Sequence, residues 1–295
     1  MSTQPSAPVN TSESTQLVQE RITNRLADFP WWALIIALMA VFLIYSFLTD
    51  ATYQEIIIYL IVGIRLTITV TLVSFAFSVI IGLITAFAQM SNNVIARNLA
   101  ALYVQVIRGI PVLVLIFYTA LVIVPAGVTL LNSLGNWMVS MGWLAVDNPL
   151  SSIVSRDIDF LWRGIIALAI NYGAFSAEVF RAGIQSIEKG QLDASKALGL
   201  SWFKMMRYVV LPQAIRRILP PLGNDFISML KESSLVSVLG VQEITQLGKK
   251  YSAASFIYPE TYSVVAFLYL SMTLILSIGV KFMEQRMSSG EQEGD

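Results

Sequence analysis

The stretch from Glu178 to Leu222 reads EVFRAGIQSIEKGQLDASKALGLSWFKMMRYVVLPQAIRRILPPL and is the most polar part of an otherwise apolar chain. Within it, Gln191 to Leu198 carries good helix formers and small residues, and Gly199 can end a helix in the left-handed conformation. Ser201 can then cap a second helix that starts at Trp202. The stretch therefore predicts two short helices joined at a sharp corner, a shape that can enter a groove on a partner protein.

Long apolar blocks lie on both sides of this stretch. Hydrophobic residues make up 56% of the 295 residues, charged residues only 13%, and the mean hydropathy is +0.68. Soluble domains carry about 25% charged residues, so we predict an all-α integral membrane protein with about six spans, each needing roughly 20 apolar residues. The predicted spans are 30–50, 59–88, 99–124, 160–179, 218–241 and 262–282.

These spans divide the chain into four parts. The first part, 1–29, is polar and unlike a basic signal peptide, so we predict a disordered tail. The others are an extra first span at 30–50, the membrane domain at 59–284 with its loop at 180–217, and a second tail at 285–295. If the first tail is cytosolic, twelve Lys and Arg residues lie on the cytosolic side and four outside. The positive-inside rule therefore places both tails and the polar loop in the cytosol.

Several classes of function are excluded by what the sequence lacks. It has no cysteine and no histidine, which removes thiolate metal sites and the commonest general base. No GxxxxGK[ST] phosphate loop occurs, and the net charge of zero does not favour nucleic acid as a partner. We therefore expect no enzyme activity, no metal and no cofactor, and any ATP that drives the protein should be bound by another subunit.

The polar stretch resembles the EAA loop of type I ABC importer permeases. In that family the residues EAA are followed by three residues, a glycine and, further on, a Leu-Pro pair. In this sequence the corresponding residues are Asp193-Ala194-Ser195, Gly199 and Leu211-Pro212. Asp replaces the Glu of the family pattern, and Ser replaces its second Ala. The flanking runs RGIPVLV (108–114), FRAGIQSIEKGQ (180–191), LPQAIRRILPPLGNDFI (211–227) and KESSLVSVLG (231–240) resemble the polar amino-acid subfamily, which takes histidine, glutamine, arginine or glutamate.

The resemblance implies a permease subunit of a binding-protein-dependent importer in a bacterial cytoplasmic membrane, with a five-helix core after the extra first span. Its partners would be a second permease subunit, identical or paralogous, two ABC ATPase subunits and an extracytoplasmic amino-acid-binding protein. ATP-driven movement of the ATPases would shift the loop and switch the path between its two openings. The residues expected to couple to the ATPase are Gln191, Asp193, Ala194, Ser195, Ala197, Gly199, Leu211 and Pro212.

Polar residues inside the predicted spans are candidates for the substrate path, because such groups are costly in hydrocarbon. They are Arg108, Asn171, Glu178, Lys231 and Glu232. Each has an alternative interpretation. Arg108 could extend to the membrane interface instead of facing the path, Glu178 could pair with Arg181, and Lys231 could pair with Asp225 or Glu232.

Two other functions remain open at this point. A secondary amino-acid transporter would need no ATPase, but it usually shows inverted repeats, and the sequence has no visible repeat. A membrane-bound sensor or scaffold would be expected to carry a folded cytosolic domain. Neither alternative gives the EAA-like loop a role.

Overall fold

A computed structural model describes residues 31–145 and 147–288, and every regular element in them is a helix. This confirms the predicted all-α membrane class. Four helices are long and apolar enough to cross a membrane, namely Ala51–Met90, Val112–Ser140, Phe160–Gln185 and Tyr258–Arg286. The predicted tail at 1–29 and the residues after 288 lie outside the described residues. The chain divides into two compact units, residues 1–51 and 52–295.

Within the described residues of the first unit lies the helix α1 (Trp31–Thr49). Its 19 residues are apolar on all sides, and large side chains such as Leu38, Phe42 and Leu48 are exposed. At 1.5 Å per residue the helix is about 29 Å long, which is close to the thickness of a bilayer's hydrocarbon core. It coincides with the extra span expected at 30–50.

The second unit begins within α2 (Ala51–Met90), a helix of 40 residues that contains the predicted span 59–88. One side of α2 is buried and consists largely of small residues: Gly63, Thr67, Thr71, Ser74, Ser78 and Gly82. A Cβ added to Gly63 would lie 2.8 Å from the Ile244 nitrogen, and one added to Gly82 would lie 2.6 Å from the Ser176 Cβ. These small residues let the neighbouring helices approach closely, as is typical in lipid.

The predicted span 99–124 is wrong in its limits. The structure has α3 (Val94–Gly109), whose first turn is capped by Asn93, and then α4 (Val112–Ser140). The break occurs because a residue before proline is pushed out of the helical region, and Ile110, before Pro111, is extended with φ −103° and ψ 132°.

Pro125 directly follows the predicted span 99–124, and a proline at that place was expected to end the helix, but it does not. A π-helical turn, Thr119–Ile123, precedes it, and Pro125 stands in the first turn of the α-helical part that follows, where its missing N–H is tolerated. The sequence predicts a long loop at 126–159, with an interfacial helix over 128–144 as an option. In the structure this segment is helical as far as Ser140. It continues with the short helix α5 (Pro149–Ser152) and a 3₁₀ turn at Ser155–Asp157.

The centre of the second unit is formed by α6 (Phe160–Gln185) and α9 (Leu211–Glu232), which run antiparallel. Gly183 of α6 packs on Ile218 of α9, and Gly164 packs on Val236 in the 3₁₀ helix Ser233–Leu239 that follows α9. The predicted span 160–179 starts at the same residue as α6 but ends before it, because α6 continues through polar residues to Gln185. The predicted span 218–241 begins and ends later than α9, because Pro212 lies in the first turn of α9, where proline is tolerated.

Between α6 and α9 lie α7 (Lys189–Ala197) and α8 (Trp202–Met205), the latter joined to α9 by a second π-helical turn, Met206–Val210. The last two helices of the described residues are α10 (Ile244–Ser255) and α11 (Tyr258–Ser288). α11 begins earlier and ends later than the predicted span 262–282, so it includes the first residues of the predicted tail at 285–295.

Candidate functional site: a corner between two short helices and two polar helix faces

The corner between α7 and α8 has the geometry that the sequence predicts. Gly199 has φ +72°, in the left-handed region. The N–H groups of Leu198, Gly199 and Leu200 donate to the carbonyls of the last turn of α7 at 2.9–3.1 Å. Ser201 then stands at the N-cap of α8 with extended backbone. The chain therefore reverses sharply at Gly199 while most of the last carbonyls of α7 remain hydrogen-bonded.

The predicted coupling residues divide into an outer and an inner group. Asp193, Ala194, Ala197 and Gly199 are exposed, as are Leu211 and Pro212 at the start of α9. Ser195 is buried, and its hydroxyl donates to the Gln191 carbonyl at 2.7 Å. The Gln191 side-chain oxygen accepts from Gln213 of α9 at 2.6 Å. Gln191 therefore ties α7 to α9.

Large apolar side chains surround the outer group. Leu198 is 80% exposed, and Trp202 and Phe203 are 61% and 65% exposed. We call these three residues the apolar corner. Exposed apolar groups clustered on one surface are typical of a protein-binding site, so the loop is a candidate surface for binding a partner.

Arg108 and Glu178 lie together, although 70 positions separate them in the chain. Nη1 of Arg108 donates to Oε2 of Glu178, and the guanidinium stands 5.2 Å from the centre of the Phe175 ring. Arg181 instead bonds to Gln185 at 3.3 Å. The structure therefore pairs two of the predicted path residues with each other, and the alternative pairing of Glu178 with Arg181 is wrong.

A second polar group lies where α6 faces α9. The buried Tyr172 of α6 lies next to the carboxylates of Asp225 and Glu232, which are one and a half to two turns apart on α9. In the part of the chain that the structure describes, one oxygen of each of these carboxylates is buried without a hydrogen-bond partner. Two buried carboxylate oxygens facing the same helix are a candidate for contact with a polar ligand.

α6 carries two further buried polar groups, Asn171 and Ser176, the second of which packs against Gly82 of α2. Asn171 is only 2% exposed, and the Oγ of Ser176 has no exposed surface that water could reach. Neither the Asn171 side-chain nitrogen nor the Ser176 hydroxyl has a hydrogen-bond partner within the described residues. Lys231, by contrast, is exposed, and no ion pair joins it to Asp225 or Glu232 among the described residues.

Glu243 is a functional candidate that the sequence reading missed. It is completely buried, stands at the N-cap of α10, and accepts hydrogen bonds from the Thr245 and Gln246 N–H groups at 2.9 and 2.8 Å. The hydroxyl of Tyr269 in α11 donates to it at 2.6 Å. Its signal in the sequence is a carboxylate placed just before the helical run from Ile244, as an N-cap requires.

Arg163 is also buried. In the count of Lys and Arg residues on the two sides of the membrane, it is one of the four placed outside. Its guanidinium donates to the carbonyls of Ala120 at 2.8 Å and Ile158 at 2.9 Å, and to Ser155. It also stands 4.9 Å from the Phe160 ring centre. Arg163 thus joins α6 to the π-helical turn of α4.

No cluster of metal-ligating side chains occurs among the residues described.

Comparison with known proteins gives consistent matches. Residues 78–289 match the family described as binding-protein-dependent transport system inner membrane component. The chain is 35% identical over 228 residues to the glutamine transport system permease protein GlnP of Escherichia coli (strain K12), covering 77% of this chain and 92% of that one. It is 34% identical over 266 residues to the arginine transport system permease protein ArgU of Corynebacterium glutamicum (88% and 79% covered).

Solved structures show the same fold. The crystal structure of an amino acid ABC transporter with histidines matches with a TM-score of 0.64 and 34% identity, over 81% of this chain and 98% of the other. An inward-facing structure of the MetNI methionine ABC transporter matches with a TM-score of 0.58, over 79% and 98%. At 18% identity this second match concerns the fold alone.

Proposed function

Since the chain belongs to the family of binding-protein-dependent transport system inner membrane components, and is thus a permease subunit of an ABC importer, we propose that the substrate it passes is a polar amino acid. Support comes from the relatives, whose names specify glutamine and arginine. The solved amino acid transporter, 34% identical, adds to it. A secondary transporter would give the corner at Gly199 no role, and we set that alternative aside.

An ABC importer works with an ATPase and a binding protein, and we assign ATP hydrolysis to the ATPase. The single observation that supports a docked ATPase most directly is the corner at Gly199 with its exposed apolar residues. In our proposal Ala194, Ala197 and the apolar corner (Leu198, Trp202 and Phe203) insert into the ATPase. Gln191 holds α7 against α9 through Gln213, so that movement of the ATPase reaches the path helix.

The complete transporter would contain two permease subunits, identical or paralogous, and two ATPases. Both termini and the corner would lie in the cytosol, as the distribution of Lys and Arg indicates. No cofactor of its own is assigned to this chain. The role of the extra helix α1 would be separate from the transport core, which starts within α2.

The proposed path runs along the facing sides of α6 and α9. Asn171, Lys231 and Glu232 would offer polar contacts to the substrate, together with Asp225 and Tyr172. Arg108 and Glu178 neutralise each other, and they would separate only when the path changes its opening. Polar groups directed at an interior cavity are the usual marks of a substrate path in a membrane protein.

The test is uptake of labelled amino acids by cells that lack the gene. The panel contains basic, acidic and neutral polar amino acids, and the same cells carry either the wild-type gene or an empty vector. Loss of uptake for one class, restored by the gene and abolished by depletion of ATP, is the expected result. Unchanged uptake of every amino acid in a strain without a second system of the same kind would contradict the proposal.

A further inference from the structure

The π-helical turn Met206–Val210 lies between the corner at Gly199 and the helix α9. At its end the Leu211 N–H donates to the Met206 carbonyl, five residues back, where an α-helix would use the carbonyl four residues back. Such turns are rare inside α-helices and occur frequently at functional sites. The chain that leaves the corner therefore reaches α9 through a segment for which the regular α-helical register is a second possible arrangement.

Gln213, in the first turn of α9, holds this π-helical turn with its side chain. Its Nε2 donates to the Val209 carbonyl at 2.9 Å. Pro212 has no N–H, so the main chain offers the preceding turn one donor fewer than usual. The Gln213 side chain supplies an additional donor at the same place, and it thereby stabilises the turn in the form that the structure shows.

The same nitrogen of Gln213 also donates to Oε1 of Gln191 in α7, at 2.6 Å. An amide NH₂ group has two N–H bonds, and each has one acceptor here, Val209 on the π-helical turn and Gln191 on α7. The amide is planar and hydrogen bonds weaken when they are bent. Since the two N–H directions are fixed relative to each other, α7 cannot move along α9 without turning this amide and weakening its contact with Val209.

The apolar contacts between α7 and α9 impose no such direction. Leu192 of α7 packs against a buried cluster that includes Val210 and Ala214, and apolar packing is non-directional, so it tolerates sliding. Among the described residues, the contact between Gln191 and Gln213 is the one side-chain hydrogen bond that joins α7 to α9. The Gln213 amide is therefore the group that relates the position of α7 to the shape of the π-helical turn.

We propose that Gln213 is a positioning residue for transport, through which the position of α7 determines whether the π-helical turn persists. The inference rests on the proposed docking of the ATPase at the corner. When the docked ATPase displaces α7, the Gln213 amide turns away from Val209 and the turn changes to the α-helical register. This change of register rotates α9 against the corner. The π-helical turn is thus the two-state element that a coupling route requires.

The experiment uses the complete transporter, with its ATPase and binding protein, in proteoliposomes. Uptake of the labelled amino acid that the panel identifies is measured together with ATP hydrolysis. The readout is the number of amino acids taken up per ATP hydrolysed, and the amount of ATPase that copurifies is measured as well. Amide hydrogen exchange over residues 206–211, followed by mass spectrometry, reports on the π-helical turn itself.

Gln213→Leu removes both contacts. Its ratio of uptake to ATP hydrolysis should fall about tenfold, as expected for two lost hydrogen bonds, while the copurified ATPase stays at the wild-type amount. Hydrogen exchange in the π-helical turn should rise about fivefold, because one of the lost bonds supports that turn.

Gln213→Glu and Gln191→Glu form a matched pair with the same added charge. A carboxylate cannot donate, so Gln213→Glu should lose as much of the ratio as Gln213→Leu. Gln191→Glu keeps an acceptor for the Gln213 amide and should lose much less. Gln185→Glu, an exposed residue at the end of α6, is the control and should equal wild type.

Four results would overturn the inference. They are an unchanged ratio in Gln213→Leu, unchanged hydrogen exchange in its π-helical turn, an equal loss in Gln213→Glu and Gln191→Glu, and loss of the copurified ATPase in Gln213→Leu, which would place the residue in docking. Each would leave the importer itself established, since wild-type vesicles take up the amino acid. Wild-type vesicles that take up no amino acid of the panel would remove the proposed function and this inference together.

Discussion

Replacing Gly199 by valine should uncouple the permease from its ATPase. No atom lies within 4 Å of a Cβ added to Gly199, so the change creates no collision. Its cost comes from the backbone, because φ is +72°, and an L-residue in the left-handed region costs about 1–2 kcal/mol. A β-branched residue is among the least tolerant there. The turned loop should therefore be about 5–30 times less populated.

The assay is uptake at equal amounts of permease in the membrane, together with the amount of ATPase that copurifies. Gly190→Val is the matched control, because Gly190 also has no atom within 4 Å of an added Cβ, lies on α7, and has no positive φ. Gly199→Asn should retain more uptake than Gly199→Val, since asparagine tolerates the left-handed region. Normal uptake in Gly199→Val, or an equal loss in Gly190→Val, would refute the reasoning.

Three other changes test the packing and the charges. Reversing Arg108 or Glu178 alone should reduce uptake, and the double exchange R108E/E178R should restore it; failure of restoration, with both proteins inserted, would argue against the pair. Gly82→Val should lower the midpoint of thermal unfolding, at a cost of about 1–3 kcal/mol, because its Cβ would lie 2.6 Å from the Ser176 side chain. Gly279→Val is the control and should leave the midpoint unchanged, because no atom lies within 4 Å of a Cβ added there. Glu243→Ala should cost about 2 kcal/mol, since it removes a helix cap and leaves a tyrosine hydroxyl without its acceptor. Glu243→Gln keeps an acceptor and should cost less, and equal midpoints for the two variants would contradict the capping role.

Local signals in the sequence were sufficient for the corner and for the membrane class. Gly199 and Ser201 specify a helix end and a helix start through their own backbone and side-chain chemistry, so no distant contact is needed to predict the turn. The long apolar blocks likewise predict helices in lipid. Helix limits were less accurate, because Pro125 and Pro212 lie in first turns and continue a helix instead of ending it.

Contacts between distant positions could not be predicted in this way. The partner of Glu178 is 70 positions away, and the nearer Arg181 was an equally reasonable choice from spacing alone. Glu243 gave only a single weak signal, because one carboxylate in a polar turn looks like any exposed residue. Its burial depends on α11, which brings Tyr269 to it from 26 positions further along the chain.

The buried Arg163 has a consequence for how the protein is made. In the helix that carries it, α6, an 18-residue window has a mean hydropathy of 1.2, against 2.4 for such windows in α2 and α4. An arginine adds about 2.5–3.5 kcal/mol to insertion at the centre of a lone helix and less near its end. The groups that satisfy Arg163 come partly from the turn before α6 and partly from Ala120 in the helix synthesised earlier. During synthesis α6 is therefore expected to leave the translocon stably only when α4 is beside it, so that the two helices enter the bilayer as a pair.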